Sequence, residues 1–146
     1  MKPTWMHTLL MTSAAIAAMA MAAIAAAPAG AQEAPAAMDG KALFLKNCAA
    51  CHQASGKGIP GAFPALAGNS FVQGKATDPA AVLLKGRGGM PDFSDSLSDR
   101  DIATVLSYVR NAWGNHADTL TEAEVQTLRS ALGVDPYGGG VMSNKH

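Results

Sequence analysis

A chain of 146 residues with eleven Lys/Arg, eleven Asp/Glu and no formal net charge presents no basic field for nucleic acid or anionic lipid. Its length fits one modest domain behind a leader segment, and with only 5% aromatic residues that domain is short of apolar volume for a core of its own.

The N-terminus reads as an export signal. Lys2 precedes an uncharged stretch from Thr8 to Ala27 rich in Ala, Met, Leu and Ile, and Ala29-Gly30-Ala31 before Gln32 forms an Ala-x-Ala-like cleavage site. A stretch of this length could also just span a bilayer as a retained anchor. Alanine is weakly apolar, however, and the small-residue site fits processing better than anchoring. Residues 1–31 are therefore expected to be a cleavable signal peptide and 32–38 a linker. Cleavage after Ala31 leaves 115 residues with ten Lys/Arg against eleven Asp/Glu, and the expected location is the periplasm.

From Asp39 the pattern is helical, with Asp39 as the cap, Gly40 opening the first turn, and Phe44, Cys48 and Cys51 on one stripe. The helix ends in Cys48-Ala49-Ala50-Cys51-His52, the pattern of a c-type haem attachment. Two thiols three positions apart can each add to one haem vinyl group, and the adjacent imidazole then serves as the proximal iron ligand. A thioredoxin-like pair would want a preceding Val/Ile-rich strand, and structural zinc would want a second ligand pair; the remaining histidines, His7, His116 and His146, are scattered. With both cysteines committed to haem, no structural disulfide is expected, and a buried porphyrin supplies the missing apolar volume.

Residues 53 to 68 carry Gly56, Gly58, Pro60, Gly61 and Pro64 and read as a long irregular loop suited to wrapping a flat cofactor. Asn69 to Gly74 is a short helical or turn segment. Asp78 as cap and Pro79 in the first turn predict a helix through Lys85, stopped by Gly86. A second breaker-rich loop, Gly86 to Pro91, follows. Ser98 caps the clearest helix, in which Ile102, Val105, Leu106, Val109 and Trp113 recur at helical spacing before an end near Gly114. A last helix starts at Thr121, with Glu124 completing a capping box and Val125, Leu128 and Leu132 as its apolar face, and ends at Gly133. No segment keeps a period-two alternation, so the expected fold class is all-α.

A haem iron held by His52 has a second axial position to fill. Met90 is the candidate: it lies 38 residues beyond His52, follows Gly88-Gly89 and is held by Pro91, so its thioether can reach the opposite haem face. Thioether ligation favours the reduced iron, the arrangement of electron-transfer sites. Met38 lies too close before the first helix, Met142 is in the Gly-rich tail, and His116 reads as a solvated histidine between helices. An open sixth position would instead make a gas sensor or a haem enzyme.

From Asp39 to Gly114 the chain resembles class I cytochromes c of the small bacterial periplasmic type. The resemblance rests on Gly40, Phe44 and Cys48 at four-residue intervals, Cys51-His52, Phe63-Pro64-Ala65-Leu66, Gly89-Met90-Pro91-Asp92-Phe93, and Ile102 to Trp113 with Tyr108. It implies a cytochrome c fold, three to five helices wrapped around one covalently bound haem c, with a core at 39–114; the helix at 121–132 extends the expected domain to 39–133, and a flexible tail is expected at 134–146. It implies that Gly40 and Phe44 meet Tyr108 where two helices cross, and that the Pro64 carbonyl accepts a hydrogen bond from the proximal imidazole, although Pro64 also reads as a simple turn residue. Arg87 can pair with a haem propionate or stand exposed without that contact.

The expected function is monohaem electron transfer between Fe(II) and Fe(III) with no catalytic residue, in exchange with redox partner proteins: a periplasmic dehydrogenase as donor, and an oxidase or another cytochrome as acceptor. No nucleic acid and no small-molecule substrate are expected. The second reading is a dedicated cytochrome subunit of a dehydrogenase or oxidase complex, since the Tyr-Val-Arg-Asn-x-Trp-Gly segment looks like the cytochrome domains of alcohol-dehydrogenase complexes.

Overall fold

The computed structural model describes residues 39–138. The expected signal peptide, the linker, Met38, Met142 and the end of the tail lie outside the described residues. Six helical segments appear, with no strands among the described residues: α1 (Gly40–Asn47), α2 (Ala49–His52), α3 (Ser70–Gln73), α4 (Thr77–Lys85), α5 (Asp99–Val109) and α6 (Glu122–Ala131). None of these is long and apolar enough to cross a membrane.

Side-chain caps set most of the helix starts. Asp39 accepts from the Ala42 amide at 2.7 Å and so satisfies one of the donors that a helix N-terminus leaves without a partner. Ser98 and Thr121 each form a full capping box, with Asp101 and Glu124 reaching back to the cap. The helix expected to run into the cysteines is broken at Cys48, whose φ of −122° separates α1 from α2. The fourth helix starts at Thr77 rather than after Asp78, because Ala76 is itself helical and Asp78 falls in the first turn, where its charge suits the positive end of the helix.

The largest departure is at the end of α5. The helix stops at Val109 with Arg110 as its cap, and Trp113 lies beyond it at φ 53°. Its ring folds back onto Phe44 and Tyr108, with centroids 5.0 and 5.6 Å away in edge-to-face geometry, and its Nε1 donates to the Ala54 carbonyl at 3.1 Å. Aromatic packing and a hydrogen bond to the haem-motif loop outweigh the strain of that backbone.

The core is the seam between α1 and α5, with α4 and α6 closing on it. Leu43 and Phe44 bury against Ile102, Val105, Leu106 and Val109, the i, i+3, i+4, i+7 stripe of α5. Each such side chain contributes about 1.5–3 kcal/mol on burial. Gly40 lets the two helices touch: a Cβ there would lie 2.5 Å from Tyr108 Cβ and 2.6 Å from the Thr104 carbonyl oxygen. Helix α6 lays Val125 and the partly buried Leu128 and Leu132 onto this frame.

Candidate functional site

Among the described residues the helices leave a large cavity, about 620 Å³, walled mainly by apolar side chains of α1, α5 and the two long loops. That volume and lining suit a large, flat, mostly apolar ligand. Cys48, Cys51, His52, Pro64, Arg87 and Met90 all line it, so the structure brings the six residues singled out in the sequence to one place. His116 is not among the lining residues; it is exposed, and its backbone amide donates to Gln73 Oε1 at 3.1 Å.

The break at Cys48 and the short helix α2 present the motif to this cavity. Cys48 is partly buried and Cys51 exposed, both as free thiols. Before haem is attached, burial, with the neighbouring Cys51 adding to it, pushes the Cys48 thiol up to about 11. His52 is buried at the end of α2, and its Nδ1 lies 3.0 Å from the Pro64 carbonyl oxygen. A carbonyl only accepts, so Nδ1 carries the proton and the lone pair belongs to Nε2, the tautomer that leaves a ring nitrogen for a metal.

The Pro64 carbonyl is held in turn. The amide of Gly58 donates to the His52 carbonyl at 3.0 Å, and Ile59 and Phe63 exchange both of their backbone hydrogen bonds. Gly58, at φ +63°, lies so close to this backbone that a Cβ would sit 2.6 Å from the Pro64 oxygen. Only glycine fits both that backbone and that approach.

Met90 closes a tight turn in which Arg87 and Met90 exchange backbone hydrogen bonds of 3.0 Å around Gly88-Gly89. It is partly buried against the core. The Arg87 guanidinium lies 5.1 Å from the centre of the Phe71 ring, a cation–π contact. Phe63 and Phe71 also line the cavity while 38% and 40% exposed, which marks its edge as apolar and open.

Three buried polar side chains outside the haem motif hold the loops in place. Asn115, fully buried, accepts from the Gly68 amide at 2.8 Å and donates to the carbonyls of Leu66 at 3.0 Å and Val109 at 2.8 Å. Buried Arg110 donates to the carbonyls of Val72, Gly74 and Asp118. Buried Arg129 pairs with Asp99 and donates to three further carbonyls. One signal was readable: Arg129 falls on the apolar stripe of α6, four residues after Val125 and three before Leu132.

A family model described as "Cytochrome C oxidase, cbb3-type, subunit III" matches residues 35–109, half of the chain. The chain belongs to the cytochrome c family. It is 35% identical over 113 residues to cytochrome c-552 of Thermus thermophilus, covering 63% of this chain and 85% of that one. It is 40% identical over 74 residues to cytochrome c6 of Microcystis aeruginosa, covering 49% and 90%. Over 121 residues it is 35% identical to the cytochrome c subunit of the quinone alcohol dehydrogenase of Gluconobacter oxydans, covering 73% of this chain and 25% of that protein. The chain thus spans about a quarter of the dehydrogenase subunits it matches.

The described residues of this cytochrome c are all-α, as expected. Its cofactor is covalently bound haem c, and Cys48, Cys51 and His52 fit the Cys-x-x-Cys-His motif. The cavity fits that group: two unpaired thiols, an imidazole with Nε2 available, and an apolar lining meet in one space.

Proposed function

We propose that this cytochrome is a periplasmic monohaem carrier, exported by a cleavable signal peptide at 1–31 and folded as one domain over 39–133. Haem c, when bound, supplies one reversible electron at its iron. In this reading Cys48 and Cys51 would bond the haem, and His52 and Met90 would hold its iron. The Pro64 carbonyl orients the imidazole and raises its basicity, as second-shell acceptors do at metal-bound histidines. In the same reading Arg87, which lines the cavity, would neutralise a haem propionate.

The observation that supports the assignment best is the 3.0 Å contact between His52 Nδ1 and the Pro64 carbonyl, inside a cavity that Met90 also lines. The donor is a periplasmic dehydrogenase and the acceptor an oxidase or another cytochrome, met through small, readily dissociated contacts.

The test is Met90→Ala. Haem stays attached, as shown by mass, while the sulfur-to-iron absorption at the red end of the visible spectrum disappears and carbon monoxide gains access to the reduced haem. Retention of that absorption would point to Met38 or Met142 and overturn the assignment. N-terminal sequencing of the protein from a periplasmic extract checks the cleavage after Ala31.

The similarity to alcohol dehydrogenase cytochrome subunits favours a second reading, a dedicated subunit of a dehydrogenase complex. Stoichiometric co-purification with a dehydrogenase supports that reading; a freely diffusing monomer counts against it.

A further inference from the structure

The run of chain that follows Met90 is fastened by a residue from the far end of the sequence. The Phe93 amide donates to the Leu83 carbonyl of α4 at 2.7 Å, and the Phe93 carbonyl accepts from the amides of Ser96 and Leu97 at 3.2 and 2.9 Å. The Arg129 guanidinium, on α6, then reaches under this turn. It donates to the carbonyls of Ser94 at 3.1 Å and Leu97 at 3.4 Å, while its Nε donates to Asp99 Oδ1 at 2.7 Å. The nitrogen that bonds Ser94, Nη1, donates also to the Asp135 carbonyl at 3.1 Å. Met90, Pro91 and Phe93, all cavity-lining, belong to this same run.

Helix α6 lies beyond the residues the family model matches. Its arginine is 2% exposed and Ser94 is 4% exposed. Taking a guanidinium out of water costs several kcal/mol unless its geometry and hydrogen bonds are good. Here the planar fork spreads its donors over one loop, one helix start and the tail, which fixes position in a way that a single ammonium cannot.

We infer that Arg129 is a positioning residue for Met90, and that α6 is an added clamp that keeps the sulfur on the haem iron and competing ligands away. The inference rests on the proposed axial role of Met90. An external ligand reaches the iron through the fraction of molecules whose loop has opened, so its apparent affinity reports that fraction.

The experiment is titration of the oxidised, haem-loaded protein with imidazole at fixed pH, read as loss of the sulfur-to-iron absorption. Arg129→Met is expected to bind imidazole at least tenfold more tightly than the parent. Arg129→Lys, which keeps the charge and loses the fork, should fall between the two. If Arg129→Met does not fold, Arg129→Lys alone decides. Affinities within twofold of the parent, whatever happens to the unfolding midpoint, overturn the clamp and leave Arg129 a purely structural residue. Met90→Ala run in parallel separates the two readings. If it keeps the absorption and the parent's affinity, the Met90 assignment itself has failed. If it loses the absorption while the Arg129 variants behave as the parent, only the clamp has failed.

Discussion

Replacing Asn115 by alanine tests how the proximal loop is held. The side chain is fully buried and makes three hydrogen bonds, to the Gly68 amide and to the Leu66 and Val109 carbonyls. Gly68 is exposed and Leu66 half-buried, so water can replace those bonds at a net loss of about 1 kcal/mol each. Val109 is buried, and its carbonyl loses a partner it cannot easily replace, adding about 1–3 kcal/mol. The expected loss is therefore roughly 3–5 kcal/mol, measured by denaturant unfolding of the haem-loaded protein followed by circular dichroism. Asn115→Asp sharpens the test. A carboxylate can still accept from Gly68 but sets its charge against the two carbonyls, and its burial favours the protonated form. Its folded pKa is then raised, so its penalty grows as pH rises and shrinks as pH falls. A loss below about 1 kcal/mol for Asn115→Ala would show that the loop is held by something else.

Gly40→Val puts a branched side chain where even a Cβ would meet Tyr108 and the Thr104 carbonyl, and because the carbonyl belongs to helix backbone it cannot swing away. A loss of about 1–3 kcal/mol or more is expected from overpacking, and an unchanged unfolding midpoint would refute the close contact of α1 with α5. Glu124 is held below its ordinary carboxylate range by hydrogen bonds from the Thr121 backbone amide and hydroxyl. Its folded pKa is depressed, so its support of α6 is present above the unfolded value and is lost as pH falls through the folded one. The amide resonance of Thr121 should titrate with a midpoint below that of a free glutamate, and a midpoint at or above it would count against the capping box. Cys48→Ala should leave the haem on a single thioether, seen by mass, with Cys51 still bonded; complete loss of haem would show that Cys48 alone secures it.

The parts of this molecule that were legible in its sequence are those governed by short-range chemistry. The Cys48 to His52 spacing, the caps at Asp39, Ser98 and Thr121, and the apolar stripe of α5 are local patterns with local causes, and each appears where its residues predict. The end of α5 was not legible. Trp113 continues the helical spacing, yet it sits beyond the helix because Phe44, Tyr108 and the Ala54 carbonyl, all distant in sequence, bind its ring and its Nε1. The break at Cys48 was hidden for a different reason: the five-residue motif is compatible with one helix or two, and the residue pattern does not separate them.

Arg110, Asn115 and Arg129 share a physical origin. A domain built around a cavity of about 620 Å³ cannot hold its loops by packing them on a core, because that space belongs to the cofactor. Residues 53–69 and 86–98 therefore need other partners for their backbone groups, which are expensive to leave buried and unpaired. The buried side chains that serve the cavity loops come from the last third of the chain: Asn115 bonds Leu66 and Gly68, and Arg129 bonds Ser94 and Leu97. Arg110 does the same for the C-terminal end of α3, at Val72 and Gly74. These bonds cross between 32 and 49 residues of sequence, so apart from the place of Arg129 on the apolar stripe of α6 no local pattern marks these residues. Because they fix the loops to the helices through protein atoms alone, substitutions at these three positions should loosen the walls of the haem cavity while leaving the seam of α1 with α5 intact.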